Sequence, residues 1–96
     1  MEVLVAYDVA TDTSAGRRRL RRVAQLCVGH GQRVQKSLFE CSLPEAQLEE
    51  LLYRLLKVID EKFDSLRIYR LREPRERYMQ IFGVRPGVNF HDPLIA

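Results

Sequence analysis

The chain has 96 residues, of which 46% are hydrophobic and 30% charged, and its formal net charge is +3. This length provides one small domain with a limited core, so association between copies is an expected source of further burial. The longest apolar runs fall far short of the roughly 20 residues that a membrane-spanning helix needs. Met1 is followed by Glu2 and a strand pattern instead of the basic region of a signal peptide, and we therefore expect a cytoplasmic protein without a membrane partner.

The positive charge is concentrated in the first third of the chain. Residues 1–36 contain seven basic and three acidic side chains, whereas residues 37–96 contain nine basic and ten acidic ones. A basic segment of this kind favours a polyanionic partner, although a solvated basic surface has the same composition.

The first predicted element is a strand over residues 2–8 that ends in a carboxylate. Residues 3–7 form a short apolar run, which is typical of a buried central strand, and Asp8 follows where the sheet gives way to a loop. This is a common place for a metal ligand or a catalytic acid; the alternative is that Asp8 caps a turn. One carboxylate is a weak site for Mg²⁺, but two copies of Asp8 facing each other across a dimer axis would supply two oxygen ligands. In the turn-rich segment 9–14, Asp12, Thr13 and Ser14 can each cap the following helix, and we interpret Asp12 as a cap in preference to a second acid.

The second predicted element is a helix over about residues 15–28. Its apolar residues recur at helical spacing and form one stripe: Leu20, Val23, Ala24 and Cys27. Its first half contains five arginines, which oppose the helix dipole, and an anionic partner would remove that penalty. Arg18 and Arg22 lie together opposite the stripe, and we predict that they contact phosphate; a solvated basic face is the alternative.

The third predicted element is a strand over residues 32–41. Strand alternation points Val34 and Leu38 to one face and gives the other face a mixed polar and aromatic character, with Gln35, Ser37 and Phe39. This mixture indicates a surface used for something other than the core. Arg33 and Lys36 extend the basic character into the same strand.

A second helix is predicted to run to about residue 60, and the capping-box pair Ser42 and Glu45 marks its start. Its buried stripe is rich in leucine: Leu48, Leu51, Leu52, Leu55 and Ile59. Two further strands are predicted over residues 65–71 and 78–84, separated by a charged turn at residues 72–77.

The predicted order is thus strand, helix, strand, helix, strand, strand. It fits an α+β domain over residues 1–84, in which a split β-α-β sheet has both helices on one face. The other face would stay uncovered, so we expect a homodimer that packs sheet on sheet. The partly apolar tail, residues 85–96, is expected to pack by adding a strand to the sheet of its own or a second subunit.

Several kinds of site are disfavoured by the sequence. Cys27 and Cys41 belong to no C-x-x-C motif and no His stands at a ligand spacing, so we expect buried free thiols and neither a zinc site nor a disulfide. The sequence has no phosphate-binding G-x-x-x-x-G-K-[ST] loop, no nucleophile elbow and no strand typical of the RNA-recognition motif.

Several blocks of the sequence point together to one known family. They are the strand end Tyr7-Asp8-Val9, the arginine-rich first helix, the block GQRVQKSLFEC at residues 31–41 and the segment LRIY at residues 66–69. Over roughly residues 1–84 the chain resembles the CRISPR-associated protein two family, the small partner of the integrase in CRISPR spacer acquisition. The resemblance implies a ferredoxin-like sandwich, a homodimer through the open sheet face, and a C-terminal strand that adds to the partner subunit's sheet.

The resemblance also implies roles for individual residues. Asp8 takes the position of the catalytic acid that binds Mg²⁺. Tyr7, Arg33, Ser37 and Phe39 match positions beside that site. The nucleic-acid contacts expected from charge and resemblance together are Arg18, Arg22, Arg33 and Lys36.

The expected function is therefore that of a homodimeric DNA-binding scaffold for the CRISPR integrase in a prokaryotic cytoplasm. The resemblance adds Mg²⁺-dependent endonuclease activity on single-stranded RNA or double-stranded DNA. Two alternatives remain open: a free-standing, toxin-like ribonuclease of the same fold, and a non-enzymatic ferredoxin-like interaction module whose arginines are only solvated.

Overall fold

Seven helices and strands follow one another over residues 1–84, the part of the chain that the structure, a computed structural model, describes. In chain order they are β1 (Glu2–Asp8), α1 (Ser14–Val28), β2 (Gly31–Gln35), β3 (Leu38–Ser42), α2 (Glu45–Val58), β4 (Ser65–Leu71) and α3 (Arg75–Tyr78). No helix in this range has both the length and the apolar composition needed to cross a membrane. The tail at residues 85–96, with the strand predicted to join a partner's sheet, lies outside the described residues.

The four strands form one sheet in the order β2-β3-β1-β4, and each neighbouring pair is antiparallel. β1 lies inside the sheet, where it pairs with β3 on one side and with β4 along its whole length on the other. The first six elements follow the order β-α-β-β-α-β, which with this strand order makes a ferredoxin-like fold. The predicted α+β class is therefore confirmed.

One face of the sheet is covered by α1 and α2. Val3, Val5 and Tyr7 of β1 are buried because side chains alternate along a strand, so that every second one points toward the helices. They share one core with residues of both helices: Val23, Cys27, Leu48, Leu51 and Leu55. The apolar stripes predicted for the two helices are thereby confirmed.

The two cysteines are free and buried in this core. Burial raises the pKa of both thiols, and it raises that of Cys27 to about 12. Because the thiolate is the reactive form, both side chains act as small hydrophobic groups at neutral pH.

The single strand predicted over residues 32–41 is wrong, because this segment is a hairpin of two strands. β2 and β3 pair antiparallel across a turn at Lys36 and Ser37, with a shift of register between Arg33 and Gln35. The turn has none of the Gly, Asn or Asp residues that usually mark a two-residue hairpin loop. Local sequence therefore concealed the break.

The strand predicted over residues 78–84 is also wrong. The fourth strand position is filled by β2, and the later segment contains α3, which begins after Pro74, followed by residues 79–84 in neither helix nor strand. This segment lies over the face that the helices leave open, where it lines a groove of about 450 Å³ together with Leu4 and Leu38. Arg75 fastens it there by donating a hydrogen bond of 2.9 Å to the Glu40 carboxylate.

Candidate functional site at the end of strand β1

Asp8 is the last residue of β1 and lies opposite Ser65, the first residue of β4. Because side chains alternate along a strand, Tyr7 points to the helices and Asp8 points to the open face. The Asp8 side chain is exposed, and it makes no hydrogen bond or ion pair within residues 1–84. Its carboxylate is therefore available to a ligand.

Neither candidate acid caps the first helix. The N-cap of α1 is Thr13, whose Oγ1 accepts a hydrogen bond of 3.0 Å from the Gly16 N–H. The prediction that Asp12 caps this helix is therefore wrong, and Asp12 is an exposed residue of the loop. Thr13 serves as well as Asp at this position because a side-chain oxygen is all that the free N–H groups require.

The basic residues predicted to bind nucleic acid are all exposed: Arg18, Arg22, Arg33 and Lys36. The first turns of α1 follow the loop that leaves Asp8, so Arg18 lies at the same end of the domain as this carboxylate. The hairpin turn lies there too, because the Tyr7 N–H donates a hydrogen bond of 3.1 Å to the Ser37 carbonyl. Arg22 is one helical turn further from this end.

Three of the residues predicted beside the site, Tyr7, Arg33 and Phe39, form a cluster, whereas Ser37 lies in the hairpin turn. The rings of Tyr7 and Phe39 stack with their centroids 6.2 Å apart, and the Arg33 guanidinium lies 5.2 Å from the Phe39 ring centroid. The Tyr7 hydroxyl reaches the Lys36 carbonyl at 3.5 Å. Burial, with a smaller effect of Cys27, raises the pKa of Tyr7, so this phenol stays protonated and ties the hairpin turn to the end of β1.

The mixed polar and aromatic face predicted for residues 35–39 is wrong at Phe39. This ring is fully buried in the core, opposite Val5 in the β1–β3 register. The error follows from the missed hairpin, since the turn at Lys36 and Ser37 interrupts the alternation that the prediction assumed. Phe39 consequently supports the site from beneath the sheet and does not line its surface.

Asp64 is a residue of this region that the sequence prediction missed. It is the one buried charged side chain among residues 1–84, and it connects three segments. Its Oδ1 accepts hydrogen bonds from the Ala10 N–H at 3.1 Å and from Arg19 Nη2 at 3.3 Å. Its Oδ2 accepts from Arg19 Nε at 2.8 Å and from the Asp60 N–H at 2.9 Å. The antiparallel pairing of β1 and β4 would have placed it at the same end as Asp8, and this topology was the available signal.

The surroundings of Asp64 stabilise its charged form. Burial alone raises the pKa of a carboxyl group, but the hydrogen bonds from Arg19, Asp60 and Ala10 outweigh burial and hold the pKa of Asp64 below its ordinary value of 3.8. Arg19 is thereby turned inward, in contrast to the exposed Arg18 and Arg22.

Asp64 should make the folded chain sensitive to acid. Its pKa is lower when folded, so it stabilises the fold at pH values above 3.8, and this contribution is lost as the pH falls through the folded pKa. In urea unfolding between about pH 5 and about pH 3, we expect the free energy of unfolding to fall more steeply for the native protein than for Asp64→Asn. Asp12→Asn, which alters an exposed carboxylate of the same region, should keep the native slope. Equal slopes for the native protein and Asp64→Asn would contradict the assignment.

The carboxylates at this end suit a metal only in a limited way. No group of three or more His, Cys, Asp or Glu side chains that could hold a metal occurs among the described residues. Both oxygens of Asp64 already accept hydrogen bonds, which leaves Asp8, at the end of β1, and Asp12, in the loop that follows, as the exposed acids of this end. Mg²⁺ accepts one or two protein carboxylates and completes its shell with water and phosphate oxygens, so Asp8 fits this ion better than ions that require a full set of protein ligands.

Comparison with known proteins identifies close relatives. The sequence profile described as CRISPR associated protein Cas2 matches residues 1–79. The CRISPR-associated endoribonuclease Cas2 1 of Moorella thermoacetica is 60% identical over 95 residues, which are 99% of each chain. The CRISPR-associated endonuclease Cas2 of Halalkalibacterium halodurans is 46% identical over the same shares of both chains.

The fold is also similar to solved structures. The crystal structure of Streptococcus pyogenes Cas2 at pH 6.5 has a TM-score of 0.77 and 53% identity, covering 86% of this chain and all of that one. A hypothetical protein of Thermus thermophilus has a TM-score of 0.73 and 36% identity, covering 88% of this chain and 93% of that one. The profile match and the relatives name the same family and cover most of the chain. This chain therefore belongs to the CRISPR associated protein Cas2 family.

Proposed function

We propose that this chain is a Mg²⁺-dependent endonuclease of the CRISPR system, active on RNA or DNA. The names of the relatives support this proposal, since the Moorella thermoacetica protein is called an endoribonuclease and the Halalkalibacterium halodurans protein an endonuclease. The single observation on which the proposal rests most is Asp8. It is an exposed carboxylate without a partner in residues 1–84, at the end of the most buried strand.

The proposed active form is a homodimer. The helices leave one sheet face open, residues 79–84 lie over part of it, and side chains at the centre of the sheet, such as Leu4 and Ala6, are apolar and partly exposed there. Tyr69 of β4, opposite Leu4, is 46% exposed on the same face. A second copy packed on this face would cover these side chains and bring a second Asp8 toward the first, so that two carboxylates share one ion.

Within this site the chain's own residues have separate tasks. The two Asp8 carboxylates would hold Mg²⁺, which when bound polarises a phosphodiester and lowers the pKa of a water molecule. Arg18, Arg22, Arg33 and Lys36 would bind the phosphates on either side of the scissile one. Tyr7 and Phe39 would keep the hairpin turn, and with it Lys36, in a fixed position beside Asp8.

A second role, as a DNA-binding scaffold for the CRISPR integrase, is supported by the exposed cations. Arg18, Arg21 and Arg22 are exposed on α1 and make no hydrogen bond or ion pair within residues 1–84. Cations arranged along a helix bind duplex phosphates with little dependence on base sequence. We propose that the homodimer presents such a surface on each subunit, and that the tail at residues 85–96 takes part in contacts with a partner subunit or the integrase.

Replacing Asp8 by Asn should abolish cleavage and preserve binding. The amide is isosteric but cannot serve as an anionic metal ligand, so we expect the Mg²⁺-dependent rate to fall by at least about 100-fold. Affinity for the same substrate in the absence of metal should change little, because the phosphate contacts belong to other residues. The matched control is Asp12→Asn, which removes an exposed carboxylate four residues later. Full activity of Asp8→Asn would refute the endonuclease proposal.

Removing the outward arginines of α1 should weaken the salt dependence of duplex binding. The slope of log affinity against log salt concentration is negative. For each protomer, the double variant Arg18→Ala/Arg22→Ala should make it shallower by about 1.8, since each phosphate contact contributes about 0.9. The control Arg54→Ala/Lys57→Ala removes the same charge from exposed positions of α2. If the slope changes equally in both double variants, the arginines of α1 contribute only through net charge, and the proposed phosphate contacts are contradicted.

A further inference from the structure

The loop that leaves Asp8 is held at Ala10 from two sides. On one side, the Ala10 N–H donates a hydrogen bond to Asp64 Oδ1. On the other, the Ala10 carbonyl oxygen lies against Gly16 in the first turns of α1, where a Cβ would collide with it. Glycine is thus required at position 16 for the loop to approach the helix this closely. Two residues after Asp8, the backbone has little freedom to move.

Asp64 also joins the other elements around this end of the sheet. The Arg19 side chain reaches it from α1 with two hydrogen bonds, and the two side chains are 19% and 0% exposed, respectively. Ser65, the residue after Asp64, is the ladder partner of Asp8. One carboxylate therefore connects the strand opposite Asp8, the loop that follows Asp8 and the helix that contains Arg18 and Arg22.

We infer that Asp64 and Arg19 are positioning residues, which hold the backbone of Asp8 and the arginines of α1 in one rigid arrangement. This inference rests on the proposed function, because it assigns the pair a purpose in aligning a metal-binding carboxylate with phosphate-binding cations. It also separates Arg19 from its neighbours: among the five arginines of α1, Arg19 serves the interior and does not contact phosphate. A displacement of reacting groups by about 1 Å can reduce a rate by about 100-fold, so a fixed loop has catalytic value.

Asp64→Asn tests the inference, because the amide puts an N–H₂ group in place of one of two carboxylate oxygens that each accept two hydrogen bonds, so the shared arrangement of Ala10, Arg19 and Asp60 around this side chain cannot be kept. At a temperature where circular dichroism shows the variant fully folded, we expect single-turnover cleavage to slow by roughly 10-fold to 100-fold. The dissociation constant for substrate should change less than about twofold, since the phosphate-binding side chains remain. Hydrogen exchange of the Ala10 amide, followed by NMR, should become faster. Arg19→Lys, which keeps the charge, should lie between the native protein and Arg19→Gln in the cleavage rate and in the rate of Ala10 exchange.

The control for general destabilisation is Leu55→Ala, which creates a cavity in the core at α2. It should lower the unfolding temperature without slowing single-turnover cleavage and without speeding hydrogen exchange of the Ala10 amide. Asp64→Asn with a native cleavage rate would overturn the positioning role and leave the proposed function intact. If the native protein does not cleave at all, the proposed function fails by itself. The anchoring of the loop at Ala10 is then tested by hydrogen exchange alone. An unchanged exchange rate of the Ala10 amide in Asp64→Asn and Arg19→Gln would overturn it.

Discussion

The alternation of side chains along β1 determines where the chemistry of this protein can lie. Val3, Val5 and Tyr7 are each removed from water by the two helices, and this burial fixes the face that every other residue of the strand presents. A shift by one residue would expose the three apolar side chains and bury Asp8, so the core itself enforces the exposure of the carboxylate. The position of Asp8 on the open face is thus a consequence of packing on the opposite face.

Charge at this end of the domain is divided between an internal and an external role. The first turn of α1 contains no acidic residue, and its free N–H groups and its arginines present positive charge together. Asp64 neutralises Arg19 inside the structure, where hydrogen bonds from three segments stabilise the pair. Arg18, Arg21 and Arg22 are left exposed to solvent, in the arrangement that favours a polyanion. The internal pair therefore organises the end of the domain that the external cations surround.

Much of the fold could be predicted because the spacing of apolar residues along the chain indicates the helices and the first strand. The stripes of α1 and α2 repeat at helical spacing, and the apolar run of β1 ends at Tyr7, one residue before the strand ends. The hairpin could not be predicted locally, since Lys36 and Ser37 include none of the Gly, Asn or Asp residues that usually mark such a turn, and only the pairing of β2 with β3 separates the two strands. The apolar residues of 79–84 suggested a strand, but the sheet position was already occupied and they pack over the open face instead. In the site, Asp8 was visible as an acid after an apolar run, whereas Asp64 finds Arg19 and Ala10 across 45 and 54 residues, a relation that only topology reveals.

We propose that one protomer supplies half of a metal site and that a second copy supplies the rest. The most direct test of this proposal is the stoichiometry of Mn²⁺ binding, with this paramagnetic ion replacing Mg²⁺ and free ion counted by electron paramagnetic resonance. We expect one ion for every two chains, and loss of that binding in Asp8→Asn. One ion for each chain, or binding that survives Asp8→Asn, would contradict it.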